Sequence, residues 1–220
     1  MEEMTKDKLK VLLVNGSPHE KGCVFTALTE IADTLRRNDV DSDIFWIGNK
    51  PLAGCMGCAS CIGKRRCFRD DAVNDFVNRM DGYDGFIFGT PVHYAAASGA
   101  MTSFMNRVFF VDEFNGDHFA GKPAAAIVTC RRSGATATLD QMNKYMADCN
   151  MPIVPSQYWN VAHGNTPDEI RQDAEGMQTM RVLGDNMAWL LKCIRLGREA
   201  NVNFPKHDAH VMTNFIREQE

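Results

Sequence analysis

Apolar residues along this chain gather into short runs bounded by turn residues, with amphipathic stretches between them. The runs are KVLLVN (Lys10 to Asn15), SDIFWIG (Ser42 to Gly48), GFIFGT (Gly85 to Thr90), AAAIVT (Ala124 to Thr129) and PIVPSQYW (Pro152 to Trp159). Short, nearly continuous apolar runs predict strands covered on both faces, as in a parallel sheet. The two prolines of the last run withhold ladder N–H groups and predict an edge position for it. Between the runs, Leu28, Ile31 and Leu35 recur at helical spacing. So do Val73, Phe76, Val77 and Met80, then Met101, Phe104, Met105 and Val108, then Leu139, Met142 and Met146. A long last helix is predicted from about Asp168 to Arg198, with Met180, Leu183, Met187, Leu190 and Ile194 on its buried side and Gly197 near its end.

Strands alternating with helices predict an α/β fold of the doubly wound kind, a five-stranded parallel sheet with helices on both faces. In that architecture ligands sit beyond the carboxyl ends of the strands, so function is expected in the loops that follow each run. No internal repeat or dividing linker interrupts the chain. Residues 1–200 read as one domain and residues 201–220 as an irregular tail, available to pack on a partner subunit.

Composition narrows the picture. A chain of 220 residues, 45% hydrophobic and 24% charged, can bury a large core without staples. A formal net charge of -4 and the absence of a polybasic stripe argue against nucleic acid as a partner. The first residues, MEEMTKDKLK, alternate charges without an apolar region, and no run of about 18 apolar residues is present to span a bilayer. The expectation is a cytoplasmic protein with no membrane partner. Thiols stay reduced there, so clustered cysteines read as metal ligands or redox groups in preference to disulfides.

Three loops carry candidate chemistry. NGSPHEKGCVFT (Asn15 to Thr26) joins the first strand to a helix beginning near Val24. Its glycines allow a sharp turn, and Ser17 and Thr26 place hydroxyls beside the open amides of a helix N-terminus, a natural anion cradle. It matches neither GxxxxGK[ST] nor GxGxxG. GTPVHYAAASG (Gly89 to Gly99) ends the third strand, where Pro91, His93 and Tyr94 would stand at the ligand edge, an aromatic or imidazole lying against a flat heterocycle; read alone, His93 is more often a turn histidine. CRRSGATAT (Cys130 to Thr138) follows the fourth, with Arg131 and Arg132 suited to an anion or to solvent.

A fourth loop, GCMGCASCIGKRRCF, carries Cys55, Cys58, Cys61 and Cys67 in a C-x2-C-x2-C-x5-C pattern. Three cysteines at intervals of three with a fourth soon after can supply the thiolates of a cuboidal four-iron cluster. Lys64, Arg65 and Arg66 would soften its negative charge. Structural zinc and free thiols remain alternatives, zinc less suited because its sites more often use two separated C-x2-C knuckles. Elsewhere, Cys23 lies where helix-terminal amides can lower a thiol's pKa, but its small size is sufficient explanation there, while Cys130, Cys149 and Cys193 read as buried packing. Trp46, Trp159 and Trp189 read as core or interface aromatics. Trp159 and His163 stand where they could reach a neighbour's ligand in a dimer.

The NGSP loop, GTPVHY and CRRSGAT, in this order at the ends of successive strands, resemble the NADPH-dependent FMN reductase and iron-sulfur flavoprotein group of the flavodoxin-like superfamily. The resemblance spans roughly Leu9 to Gly164 and implies strand order 2-1-3-4-5. It also implies FMN, with the phosphate held by Ser17, Cys23, Val24, Phe25 and Thr26 beside Pro18. Pro91, Val92, His93 and Tyr94 would line the isoalloxazine, and Arg131, Arg132, Ser133 and Gly134 would close the other side. The family commonly has Asn-Thr after the loop glycine; here Gly22-Cys23-Val24-Phe25-Thr26 moves the phosphate hydroxyl to Thr26.

The implied activity is electron transfer from NADPH or NADH through FMN to a quinone, nitro compound, flavin or protein acceptor, with no catalytic side chain. The cysteine pattern also resembles the motif through which iron-sulfur flavoproteins pass electrons from a cluster to FMN. A homodimer or homotetramer is implied. Two other readings stay open: a non-enzymatic FMN and iron-sulfur electron carrier, and a metal-sensing module with a degenerate flavin site.

Overall fold

A computed structural model describes residues 8–208 together with Val211 and Thr213. Its strands are β1 (Lys10–Asn15), β2 (Asp41–Trp46), β3 (Gly85–His93), β4 (Ala96–Ala97), β5 (Ala124–Cys130) and β6 (Val161–His163). Its helices are α1 (Cys23–Arg37), α2 (Ala72–Val77), α3 (Gly99–Glu113), α4 (Ala135–Asp148), α5 (Pro167–Gln172) and α6 (Ala174–Glu199). The sheet runs β2-β1-β3-β5-β6, all parallel, while the two-residue β4 folds back antiparallel on the end of β3. Counting only the parallel strands, this is the expected 2-1-3-4-5 order.

Alternation along each strand divides the core into two layers. Leu12, Val14, Phe86, Phe88, Ala126 and Val128 face a cluster built with Phe76 of α2, Phe104 and Val108 of α3, and Leu139 and Met142 of α4. Val11, Leu13, Ile87, Ala125 and Ile127 face Leu28, Ile31 and Leu35 of α1, with Met180, Leu183 and Met187 of α6. One strand residue in two goes to each face because the pleat has period two, which requires helices on both sides.

Two expectations are corrected. The run at residues 152–159 is not the last strand. It meets the sheet only where Ile153 bridges Ala124, with Val154 N donating to Ala124 O at 2.8 Å and Ala124 N donating to Pro152 O at 2.9 Å. Pro155 has no N–H to continue the ladder. The chain therefore loops out through exposed Tyr158 and Trp159 before β6 pairs with Val128, Thr129 and Cys130. The sheet ends in β6, not in the run for which the edge position was predicted.

The last helix, expected as one, is two. Asp173 ends α5 and caps α6: its carboxylate accepts from Gly176 N at 3.0 Å and from His163 N at 2.6 Å, tying α6 to the edge strand. Met180, Leu183 and Met187 are buried as expected, but Leu191 takes the place assigned to Leu190 and Ile194, which are only partly covered.

Residues 202–208 form no regular element and are exposed; most of the remaining tail lies outside the described residues. Among the described residues, no helix is long and apolar enough to cross a membrane.

Candidate functional site

The loop after β1 is fastened on every side. Asn15, wholly buried, accepts from Ser17 N through Oδ1 at 3.0 Å and donates from Nδ2 to Glu20 O at 2.9 Å. Gly16 N donates to Gly89 O at 2.8 Å. A Cβ on Gly16 would lie 2.8 Å from that oxygen and 2.5 Å from Met101 Sδ, so the approach of β1 to β3 here requires glycine. Ser98 Oγ donates to Gly16 O, and Trp46 Nε1 donates to Ser17 O, both at 2.8 Å. The end of β2, the middle of β3 and the cap of α3 thus all hold the loop in place. It leads into α1, whose first amides no side chain caps and whose first turn carries no acid, leaving a positive dipole end beside the loop.

These groups border a cleft of about 800 Å³ beyond the carboxyl ends of the strands. Of the residues predicted from sequence, Ser17, Pro18, Cys23, Val24, Pro91, Val92, His93 and Arg131 line it. Arg132, Ser133 and Gly134 instead line a neighbouring cavity of about 360 Å³, shared with Trp159 and His163. Phe25, Thr26 and Tyr94 line neither. Thr26 is buried, its hydroxyl donating back to Gly22 O at 3.1 Å inside the first helical turn. Tyr94 sits fully exposed at φ 59°, where the β3–β4 hairpin turns it outward.

Trp46, Asn49, Thr129, Asn165 and Thr166 also line the cleft and are missing from the sequence reading. Each lies at or just past the carboxyl end of a strand, a signal that would have found them. Cys23 does not show the lowered pKa that helix-terminal amides alone would give. Burial pushes its thiol up, more than the helix amide lowers it, and the Glu169 carboxylate adds to the rise. Its Sγ points to Gly164 O at 3.6 Å, across the cleft wall.

The cysteine loop folds around a second, smaller pocket lined by Cys55, Cys58, Cys61 and Cys67, with Arg107, Phe110 and Val111 of α3 in its wall. Side chains from outside the loop hold its backbone. Asn74 accepts from Cys67 N at 2.9 Å and donates to Cys67 O and Arg69 O, each at 3.1 Å. Asn115 donates to Cys61 O at 3.1 Å and accepts from Arg65 N at 3.0 Å. Gly57 and Gly63 sit at φ 67° and 70°, a left-handed backbone that favours glycine. Burial pushes the Cys61 thiol up, and the nearby thiols of Cys67, Cys55 and Cys58 add to it, whereas a hydrogen bond from Ser60 pulls exposed Cys58 down.

Beneath the thiols lies a buried cation. Arg107 is 2% exposed and pairs with Asp71 at 2.7 Å. Burial opposes its charge, but hydrogen bonding to Asp71 and to the Cys67 thiol outweighs that and holds its pKa above the usual value. Its Nε has no hydrogen-bond partner among the described residues. Among those residues, too, no three His, Cys, Asp or Glu side chains form a group able to hold one metal ion. A zinc site needs its donors to meet at a single ion. A cuboidal cluster instead takes one thiolate on each iron, so its ligands ring it. Soft thiols around one pocket, with an unsatisfied cationic donor in the wall, fit an anionic iron-sulfur cluster.

The other predicted packing cysteines divide. Cys130 is buried, and Cys149 is partly buried with its thiol pushed up to about 12 by burial and then by Asp112 and other nearby carboxylates. Cys193 is exposed on α6, contrary to expectation, because it falls outside the helix's apolar stripe. Trp46 is a loop anchor, and Trp159 and Trp189 are 58% and 67% exposed.

Comparison with known proteins agrees with this architecture. Residues 9–166 match the family model of NADPH-dependent FMN reductase. An iron-sulfur flavoprotein of Methanocaldococcus jannaschii is 25% identical over 193 residues, covering 85% of this chain and 100% of that protein. Among solved structures, RosB with its bound intermediate superposes with TM-score 0.68 at 14% identity, over 96% of this chain and 95% of that one. A flavodoxin from the domain Archaea superposes with TM-score 0.56 at 14% identity, over 84% and 99% respectively.

Proposed function

Because this chain belongs to the NADPH-dependent FMN reductase family, we propose that the 800 Å³ cleft holds FMN and that the protein is an NAD(P)H-dependent oxidoreductase. The observation that carries the reading is the meeting of the loops after β1, β3 and β5 around one cleft, with a rigid amide-rich turn at one end. A volume of that size is ample for a drug-sized ligand. When bound, FMN supplies two-electron exchange with a nicotinamide and one-electron exchange with other carriers.

The chain's own residues bind and orient. Ser17 and the opening amides of α1 would hold the phosphate, with Arg131 adding positive charge. Pro91, Val92 and His93 would lie along the ring, and Trp46 would keep the phosphate turn in shape. Arg132, Ser133 and Gly134 would face the adjoining cavity, where the nicotinamide or an acceptor has room. Phe25, Thr26 and Tyr94 are left out of the proposed binding set because their placement lends it no support. The acceptor class is a quinone, nitro compound, free flavin or protein. The four-cysteine loop would carry a 4Fe-4S cluster, a reading supported by its donor set and by the name of the Methanocaldococcus relative. Exposed Trp159 and Trp189 support a homodimer or homotetramer, and the reading places the protein in the cytoplasm.

The test is purification under anaerobic conditions followed by a visible spectrum and FMN titration. One FMN per chain, bleached rapidly on mixing with NADPH or NADH, is the expected result. A protein that stays colourless and takes up no FMN refutes the flavin site. Bound FMN that neither nicotinamide reduces points to the electron-carrier reading instead.

A further inference from the structure

The buried guanidinium of Arg107 joins the two ends of the cysteine loop. Nη1 donates to Ala53 O at 3.3 Å, just before Cys55, and to Asp71 Oδ2 at 2.7 Å. Nη2 donates to Arg69 O at 3.1 Å, just after Cys67. A single planar fork therefore fixes the spacing between the start and finish of the loop, which a Lys ammonium cannot reproduce. Among the described residues Nε is left buried and without a partner, a costly arrangement unless something accepts from it.

The cations expected to offset thiolate charge are engaged elsewhere. Arg65 makes a two-point pair with Asp81 at 2.5 and 2.6 Å, and Arg66 pairs with Asp70 at 2.7 Å. Neither they nor Lys64 line the thiol pocket, while Arg107 does, together with exposed Arg69 at its rim. Arg107 is itself paired with Asp71, but it is the buried guanidinium in the wall of the thiol pocket, where charges are screened less than in water.

Resting on the cluster reading above, we propose that Arg107 is the positioning residue of the cluster site. It closes the loop at both ends, and its unpaired Nε–H donates to a thiolate or sulfide of the assembled cluster. The buried cation thereby favours the reduced, more negative form of the cluster. Removing it lowers the reduction potential.

The experiment uses the full chain, reconstituted anaerobically with iron and sulfide. Wild type, Arg107→Lys, Arg107→Gln and the charge-balanced Arg107→Gln/Asp71→Asn variant are compared. Iron and sulfide per chain are measured, and the midpoint potential is read by a redox titration followed by electron paramagnetic resonance. FMN uptake checks that the fold survives. Wild type is expected to hold a full cluster. Arg107→Gln should either lose most of its iron while still taking up FMN, or keep it with at least a tenfold shift toward the oxidised form, about 59 mV; the charge-balanced variant should lose iron to a chelator faster than wild type, because the fork that closes the loop is gone in it too. Arg107→Lys should keep more of the potential than the Gln variants but lose iron faster to a chelator. Should all variants match wild type in iron, potential and chelator resistance, the role of Arg107 is overturned while the cluster stands. Should wild type take up no iron and sulfide, both readings fall. If the Gln variants do not fold, Arg107→Lys decides alone: chelator resistance equal to wild type overturns the proposal.

Discussion

Replacing Gly16 by alanine tests whether the phosphate turn is held by the close approach of β1 and β3. The added Cβ would stand 2.5 Å from Met101 Sδ, 2.8 Å from Met101 Cγ and 2.8 Å from Gly89 O. The methionine can swing away, but the carbonyl cannot, because it already accepts from Gly16 N at 2.8 Å. Relief requires the strand ends to part and that bond to lengthen. Overpacking costs roughly 1–3 kcal/mol and a lost hydrogen bond about 1, giving about 3 kcal/mol together. For a chain of this size that corresponds to a fall in Tm of about 6–12 °C. Thermal unfolding followed by circular dichroism measures it, and FMN titration of the same variant should show at least tenfold weaker binding, about 1.4 kcal/mol. Gly82→Ala is the control, since nothing lies within 4 Å of a Cβ there and its backbone is not left-handed. A Gly16→Ala protein that melts with wild type and binds FMN equally well would refute the reasoning. Met101 is buried and its truncation is destabilising by itself, so a Gly16→Ala/Met101→Ala protein that melts with the Met101→Ala single variant would assign the clash to the side chain alone.

Further outcomes follow from other contacts. Trp46→Phe keeps the ring but removes the donor to Ser17 O; FMN affinity should fall about fivefold, about 1 kcal/mol, by fluorescence titration. Asn74→Ala strips three hydrogen bonds from the Cys67 to Arg69 backbone and should cost about 2–3 kcal/mol in urea unfolding, an unchanged midpoint counting against the anchoring role. Burial, then the Asp43 carboxylate that accepts its hydrogen bond at 2.8 Å, pushes the Tyr83 phenol up to about 12 from its ordinary value of 10.0. The neutral phenol is the form the fold prefers. Its stabilisation is complete below pH 10.0 and is lost as pH rises toward 12, so the advantage of wild type over Tyr83→Phe should shrink across that window and nowhere below it. Urea midpoints of both proteins from pH 8 to pH 12 test this, and a constant difference would contradict it.

The sheet was legible because alternation and burial act locally. Runs such as KVLLVN and AAAIVT contain the whole signal for a strand covered on both sides, and the loops that follow them mark the ligand edge. What escaped was set by partners far along the chain. β6 has only three residues, too few to display a pattern, while the apolar PIVPSQYW run beside it satisfied the pattern yet was stopped by Pro155. Trp46 looked like core because its acceptor, Ser17 O, lies on another loop. Tyr94 follows the motif that lines the cleft, but the β3–β4 hairpin reverses the chain just there. Arg107 sits three residues after Phe104 and four before Val111, on the buried side of α3. A charge in an apolar stripe is the sign in the sequence of a buried counter-ion.

α3 touches both pockets. Its cap, Ser98, grips the turn beside the cleft, and Arg107 further along the same helix underlies the thiols. Between those residues a straight helix climbs about 14 Å at roughly 1.5 Å per residue. The span is set by backbone geometry, not by loops that breathe, so the two pockets are mounted on one stiff strut. Should FMN and a cluster occupy the two pockets as proposed, one helix would set how far apart they stand.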